Sequence, residues 1–197
     1  PETIGKSAGE RAVRRLNPRK PRTAKLPIVY DPRVRNGLIG HFVGAINGAS
    51  IARGTSFLKD KMGQQIFARG IRIIDDPHRP RGLRSKPFHG EGVANKKRAL
   101  IEDGVLTTWL LDSRSARQLG LTTTGHAARG TSSPPSPSAA NLYLEPGKVT
   151  PADLMSDIKQ GFYVTELIGM GGNGVTGDYS RGAAGYWIEN GKLTYPV

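Results

Sequence analysis

Glycine and proline confine this chain to short elements that are joined by many turns. The sequence holds 26 glycines and 14 prolines among 197 residues. Both residue types interrupt helices and are favoured in turns. Two segments, Glu102-Asp103-Gly104 and Glu189-Asn190-Gly191, have the composition of two-residue β-hairpin turns. Since strands and helices do not alternate along the chain, we predict an α+β fold with a mostly antiparallel β-sheet and a few short helices.

The spacing of apolar residues predicts the other elements. Positions at helical spacing predict helices over residues 3–16 and 33–47. Runs of β-branched and aromatic residues predict strands at 26–30, 71–74 and 162–168.

We expect a single domain over residues 1–197. Residues 1–25 form a basic helix and lead-in segment, and residues 129–140, rich in serine and proline, are predicted to be a flexible surface loop. In the helix at 33–47, Gly37, Gly40 and Gly44 recur on related faces. Because glycine weakens a helix, this recurrence predicts close approach by another backbone.

Positive charge is concentrated in one half of the sequence. The net charge is +13, made up of +15 in residues 1–100 and −2 in residues 101–197. Such a surface could bind nucleic acid or an acidic partner. However, no aromatic residue lies among the basic residues of 11–25, and proteins that bind single strands interleave the two types. We therefore favour a solvated basic surface over a nucleic-acid site.

The inventory of reactive side chains is small. There is no cysteine, which excludes disulfides, thiolate metal sites and cysteine nucleophiles. The four histidines, His41, His78, His89 and His126, do not stand at the spacing of helical metal ligands. Ser180 lacks the flanking glycines of a hydrolase nucleophile turn, so a serine hydrolase that uses it with His89 or His126 is only a weak alternative.

A glycine-rich segment follows the strand predicted at 162–168. It contains Gly172-x-Gly174-x-x-Gly177, the spelling of a dinucleotide-binding loop, but a hairpin rather than a helix is predicted next. Two interpretations stay open, a glycine-lined turn between strands and an edge that receives an extended peptide. In the second, Asp178, Ser180 and Arg181 would hold the peptide.

Several motifs together resemble the C-terminal domain of the TldD/PmbA family. In chain order they are Arg53-Gly54-Thr55-Ser56-Phe57-Leu58-Lys59, Ile74-Asp75-Asp76-Pro77, Arg81-Gly82, Gly90-Glu91-Gly92-Val93, Asp103-Gly104-Val105-Leu106, Asn141-Leu142-Tyr143 and Asn173-Gly174-Val175-Thr176-Gly177-Asp178-Tyr179-Ser180-Arg181-Gly182-Ala183. The last of these is the most specific, and the matches extend through nearly the whole chain.

The resemblance implies a role in proteolysis. The family forms TldD–TldE heterodimers that degrade or trim small unstructured peptides. The TldD subunit binds zinc through a His-Glu-x-x-x-His motif and a later cysteine. Counting back from Arg53, that motif falls at Ile39–Gly44, which here reads Ile-Gly-His-Phe-Val-Gly. The departure implies a PmbA/TldE-type subunit without zinc ligands of its own.

The resemblance also implies the partners and the location. We expect a TldD-like catalytic subunit that carries the zinc, or a second copy of the chain, with a peptide substrate in the cytoplasm. No run of 18 apolar residues occurs, so no membrane association is expected. An older family name, modulator of DNA gyrase, keeps a nucleic-acid- or gyrase-associated binding protein as the alternative.

These expectations give a set of candidate site residues and no catalytic residue. They are predicted to line a substrate channel or a subunit interface: Gly40, His41, Gly44, Asn173, Gly174, Thr176, Asp178, Ser180 and Arg181.

Overall fold

The computed structural model describes residues 2–197, and its contacts divide the chain into two compact units. Residue 1, where the predicted domain begins, lies outside the described residues. The first unit contains residues up to Leu38 together with Gly147–Gly172 and Tyr179–Val197. The second unit contains Ile39–Pro146 and Asn173–Asp178. Each unit has a four-stranded sheet of its own.

The first unit is a mostly antiparallel sheet. Its elements are α1 (Glu2–Val13), β1 (Ile28–Tyr30), α5 (Pro151–Ser156), β8 (Gln160–Ile168), β9 (Gly182–Glu189) and β10 (Lys192–Pro196). The strands are ordered β1-β8-β9-β10, with β1 parallel to β8 and the other pairs antiparallel. Val164, Tyr186, Trp187 and Ile188 are buried, and the ring of Trp187 stacks on that of Tyr195.

The second unit packs helices against a fully antiparallel sheet. Its elements are α2 (Asn36–Ala45, from Ile39 onward), α3 (Gly48–Ala52), β2 (Ile73–Asp75), β3 (Arg98–Glu102), β4 (Val105–Leu106), α4 (Ser113–Gln118), β5 (Ala127–Ala128), β6 (Ser136–Pro137) and β7 (Leu142–Leu144). The sheet order is β4-β3-β2-β7, and β5 pairs with β6. Phe42 and Ile46 pack on Ile73, Leu100 and Ile101 to form the core.

The predicted α+β class with mostly antiparallel sheets and few short helices is confirmed. Both hairpin turns are present, with positive φ at Asp103 and Gly104 and at Asn190 and Gly191, as a type I′ turn requires. No helix among residues 2–197 is long and apolar enough to cross a membrane.

Two predicted helices end earlier than expected, and one predicted loop contains a strand. The helix predicted at 3–16 ends at Val13 and buries no residue. The helix predicted at 33–47 stops at Ala45, because Asn47 caps a separate helix by accepting the amide hydrogen of Ala49. The segment 129–140 was predicted to be a loop, yet it contains β6 and the buried residues Ala139 and Ala140.

The basic residues of the lead-in segment contact the sheet of the first unit. The guanidinium group of Arg14 lies 5.0 Å from the ring centre of Tyr186, and that of Arg19 lies 4.7 Å from the ring centre of Tyr195. Arg15 forms an ion pair of 2.6 Å with Glu166. These cation–π and ionic contacts hold three arginines that were expected to lie on a solvated surface.

Candidate functional site

The residues at the position of the family's zinc motif lie on the outer face of α2. Gly40, His41 and Gly44 are exposed, whereas Phe42 and Ala45 are buried. A Cβ atom added at Gly40 or at Gly44 would have no neighbour within 4 Å. The prediction that these glycines allow another backbone to approach is therefore wrong within the described chain, because the helix packs through its opposite side.

Gly37, at the start of the same helix, belongs to the first unit and also lacks a tight contact. A Cβ atom there would lie 3.9 Å from Leu167 and 3.9 Å from the guanidinium group of Arg181, which are ordinary contact distances.

Four other candidates form one tight turn in the second unit. The side-chain oxygen of Asn173 accepts hydrogen bonds from the amides of Val175 (3.0 Å) and Thr176 (3.4 Å). The hydroxyl of Thr176 donates to the carboxylate of Asp178 (2.7 Å). The amide of Asn173 closes the turn by donating to the carbonyl of Asp178 (2.9 Å). Asparagine and threonine support such turns by replacing backbone partners.

Phe57 holds this turn in place. Its amide donates to the carbonyl of Gly174 at 3.0 Å. Gly177 adopts φ +82°, and a Cβ atom there would come within 2.9 Å of the Phe57 ring. Two motifs that carry the family resemblance therefore meet at this contact, and glycine at 177 is required by both backbone conformation and space.

The glycine-rich segment continues as a strand connection in the first unit. Gly172 and Tyr179 form a β-bridge, and the amide of Ser180 donates to the carbonyl of Gly171 at 2.8 Å. The next element is the strand β9 and not a helix, so the dinucleotide spelling belongs to a glycine-lined turn. The side chain of Arg181 donates to the carbonyl of Gly169.

The polar candidate residues differ in the hydrogen bonds and the exposure of their side chains. Asp178 and Arg181 are engaged within their own units, and Nε of Arg181 is buried without a partner in residues 2–197. Ser180 is exposed, and its unit contains no histidine, since all four histidines lie between residues 39 and 146. The first unit alone therefore offers no general base of the histidine type for this hydroxyl.

The family resemblance implies zinc, so we compared the available donors with the needs of a zinc site. Zinc sites in proteins use three or four nitrogen, sulfur or oxygen ligands from one cluster. Among residues 2–197 no group of three or more histidines and carboxylates could hold a metal ion. The ring of His78 hydrogen-bonds to Asn95 at 2.7 Å, and His41 lies on the outer face of α2. The donor set of the described chain does not fit zinc.

The other two histidines lie in a buried polar cluster that sequence reasoning missed. Nε2 of His126 lies 3.3 Å from the carboxylate of Asp75, and both side chains are almost fully buried. The carboxylate also accepts the amide hydrogen of Ala140 at 2.9 Å. Its neighbour Asp76 instead stabilises a turn by accepting the amide hydrogen of His78 at 3.0 Å. Asp75 and His126 are far apart in the sequence, so no local motif could predict that they pair.

Comparison with protein families gives a match over most of the chain. The family model described as the PmbA/TldA metallopeptidase C-terminal domain matches residues 23–197. The protein named metalloprotease PmbA of Escherichia coli O157:H7 is 44% identical over 197 residues, covering 100% of this chain and 42% of that protein. The chain thus spans less than half the length of this curated relative.

Solved structures show the same fold. A proposed modulator of DNA gyrase from Thermotoga maritima has 33% identity and a TM-score of 0.88, over 100% of this chain and 45% of its own. TldE from Thermococcus kodakarensis has 24% identity and a TM-score of 0.82, over 99% of this chain and 45% of its own. At that identity TldE shows a shared fold alone.

Proposed function

Because the chain belongs to the TldD/PmbA metallopeptidase family, as its C-terminal domain, we propose that it is a non-catalytic PmbA/TldE-like subunit of a heterodimeric zinc metalloprotease. In this role a TldD-like partner carries the zinc and performs the hydrolysis in the cytoplasm. The substrates are small unstructured peptides, and this chain supplies part of the surface that binds the peptide or the partner.

The donor set of the chain is the observation that carries the proposal. Among the described residues no cluster of three histidines and carboxylates exists, and the sequence has no cysteine. At the position of the family's zinc motif, Ile39 and Gly44 replace its two histidines and Gly40 replaces its glutamate. A peptidase of this family needs these ligands to activate water, and in the proposed role hydrolysis comes from the partner subunit.

The exposed glycines of α2 support a role in contact with a partner or a peptide. A helix that is stabilised only by its own chain would gain stability from alanine at Gly40 and Gly44, since both positions have room for a side chain. A partner or an extended peptide that lies against this face would explain why small residues stand there. A second copy of the chain is the other candidate for this surface.

Zinc content and peptide hydrolysis of the full-length protein test the proposal. We expect no stoichiometric zinc and no turnover of a labelled unstructured peptide by the protein alone, but turnover when a TldD-like partner is added. A partner with glutamine in place of its motif glutamate is the control and should form an inactive complex. Stoichiometric zinc or turnover in the isolated protein would overturn the proposal.

The alternative is a nucleic-acid- or gyrase-associated binding protein. It is favoured by the description of the Thermotoga maritima relative as a proposed modulator of DNA gyrase and by the net charge of +13. Such a protein would bind DNA with an affinity that falls steeply with salt, because phosphate contacts release counterions. Contacts made by Arg14, Arg15 and Arg19 within the first unit leave fewer charges for this role.

A further inference from the structure

Three arginines line one cavity of the second unit, and none of them forms an ion pair with another described residue. The cavity has a volume of about 450 Å³ and is lined by the segment from Arg79 to Arg84 and by the segment from Ala140 to Leu142. Arg79, Arg81 and Arg84 have no carboxylate partner within residues 2–197, unlike Arg72, which pairs with two glutamates. The side chain of Arg84 donates only to the hydroxyl of Ser138, at 2.9 Å.

The backbone that carries these arginines is held by Asn141. Its side-chain oxygen accepts the amide hydrogen of Arg84 at 3.0 Å, and its amide group donates to the hydroxyl of Ser85 at 2.8 Å. The hydroxyl of Ser85 in turn donates to the carbonyl of Arg79 at 2.6 Å. A Cβ atom at Gly82 would lie 2.7 Å from the amide group of Asn141, so this close packing requires glycine. The motifs Arg81-Gly82 and Asn141-Leu142-Tyr143 of the sequence analysis thus build one ordered loop.

Arg81 occupies an unusual backbone conformation. Its φ of +55° lies in the left-handed region, where glycine, asparagine and aspartate are favoured over other residues. Arg81 therefore places a long cationic side chain at a position where a small residue would fit the backbone better. Such outliers are enriched at sites of function.

The surroundings of the loop do not neutralise its charge. The pKa of the half-buried Lys86 lies below its ordinary value, first because of burial and then because of repulsion from Arg84, while Asp75 acts in the opposite direction. Arg84 and Lys86 are thus close enough to repel each other, and a carboxylate that enters the cavity gains from several cations at once.

We propose that the arginine loop, residues 79–84, with its cavity binds an acidic, extended peptide segment that also carries an apolar side chain. The cations recognise carboxylates, and Leu83, which is fully exposed between them, offers an apolar contact. A single-stranded nucleic acid fits less well, because the residues that line the cavity include no aromatic ring, and the ring of Tyr143, which follows Leu142, already faces the guanidinium group of Arg79 at 5.3 Å from its centre. This inference does not depend on the proposed subunit role.

Fluorescence anisotropy with the full-length protein tests the arginine loop. The probes are a labelled peptide of about ten residues with four glutamates around one leucine, the same peptide with glutamines, and a labelled oligothymidine of equal charge. We expect the glutamate peptide to bind at least about tenfold more tightly than the glutamine peptide at low salt. The double variant Arg81→Gln/Arg84→Gln should weaken its binding roughly fivefold to thirtyfold.

Two further variants separate the loop from general charge effects. Arg69→Gln removes an exposed arginine elsewhere in the second unit and should change the affinity less than about twofold. Arg81→Lys keeps the charge and should retain most of the binding. Equal binding of the two peptides, or an equal loss in Arg69→Gln, would overturn the proposal. Tighter binding of oligothymidine with the same dependence on Arg81 and Arg84 would also overturn it and assign the loop to nucleic acid.

Discussion

At the scale of single residues, His89 shows how burial sets the charge of a side chain. The residue is fully buried, and its Nδ1 accepts the amide hydrogen of Glu91 at 3.0 Å. Its Nε2 is buried and has no partner within the described residues. Burial lowers the pKa of His89, Glu91 partly opposes this, and Lys86 and His126 lower the pKa further. The imidazole is therefore neutral in the folded chain at neutral pH.

This lowered pKa makes stability fall in mild acid. The unfolded chain binds a proton on His89 near the ordinary pKa of about 6.5, whereas the folded chain resists it. The free energy of unfolding should thus be highest above that pH and fall by up to about 1.4 kcal/mol per pH unit below it. In His89→Asn the side-chain oxygen can accept the amide hydrogen of Glu91, so chemical unfolding between pH 7 and pH 5.5 should show a smaller slope. An unchanged slope would contradict the assignment.

Sequence reasoning identified reactive side chains by type but did not show which of them meet. The absence of cysteine and of metal-ligand spacing among the histidines led to the expectation that this chain binds no metal, which stays a prediction. The buried pair of Asp75 and His126 was not predicted, because β2 and the segment after α4 meet only in the folded chain. Local spacing carries no information about such contacts.

At the scale of elements, the turn at 173–178 combines a left-handed backbone conformation at Gly177 with close packing against Phe57. Gly177 has φ +82°, and a Cβ atom added there would lie 2.9 Å from the ring of Phe57, whereas a Cβ atom added at Gly174 would have no neighbour within 4 Å and Gly174 has no positive φ. The two glycines therefore form a matched pair within one turn. Backbone conformation and space require glycine at 177 but not at 174.

Alanine at the two positions should have different effects on stability. Gly177→Ala combines an unfavourable φ with a collision and should lower the free energy of unfolding by about 1–3 kcal/mol. Gly174→Ala should change it by no more than about 0.5 kcal/mol. Thermal or denaturant unfolding of both variants measures the difference. Equal stability of the two variants would show that the turn does not depend on its contact with Phe57.

The elements that sequence reasoning found are those whose signals are local. Both hairpin turns were predicted correctly. The glycines of α2 were expected to contact another backbone, but within the described chain their face is exposed. Spacing shows which residues share a face but not whether that face is covered.

At the scale of the whole molecule, the fold class and the family could be predicted, but the division of the chain could not. Each unit is built from segments that are far apart in sequence, and residues 173–178 belong to the second unit while their neighbours belong to the first. The expectation of one domain stays a prediction. The charge excess of the first half was predicted as a solvated surface, yet Arg14, Arg15 and Arg19 contact the sheet of their unit.

At the same scale, the exposed face of α2 provides a test of assembly with a partner. Gly40→Leu should leave the fold intact, because nothing lies within 4 Å of the added side chain's first atom and leucine is a better helix former. If a TldD-like partner or a peptide lies against this face, overpacking costs about 1–3 kcal/mol and should weaken assembly or peptide turnover about fivefold to 150-fold. The matched control is Gly9→Leu on α1. Gly9 is also an exposed helical glycine, and a Cβ atom added there would have no neighbour within 4 Å. Size-exclusion chromatography and turnover measurements on the mixed full-length proteins compare the two variants, and an unchanged Gly40→Leu complex would place the partner and the peptide on another surface.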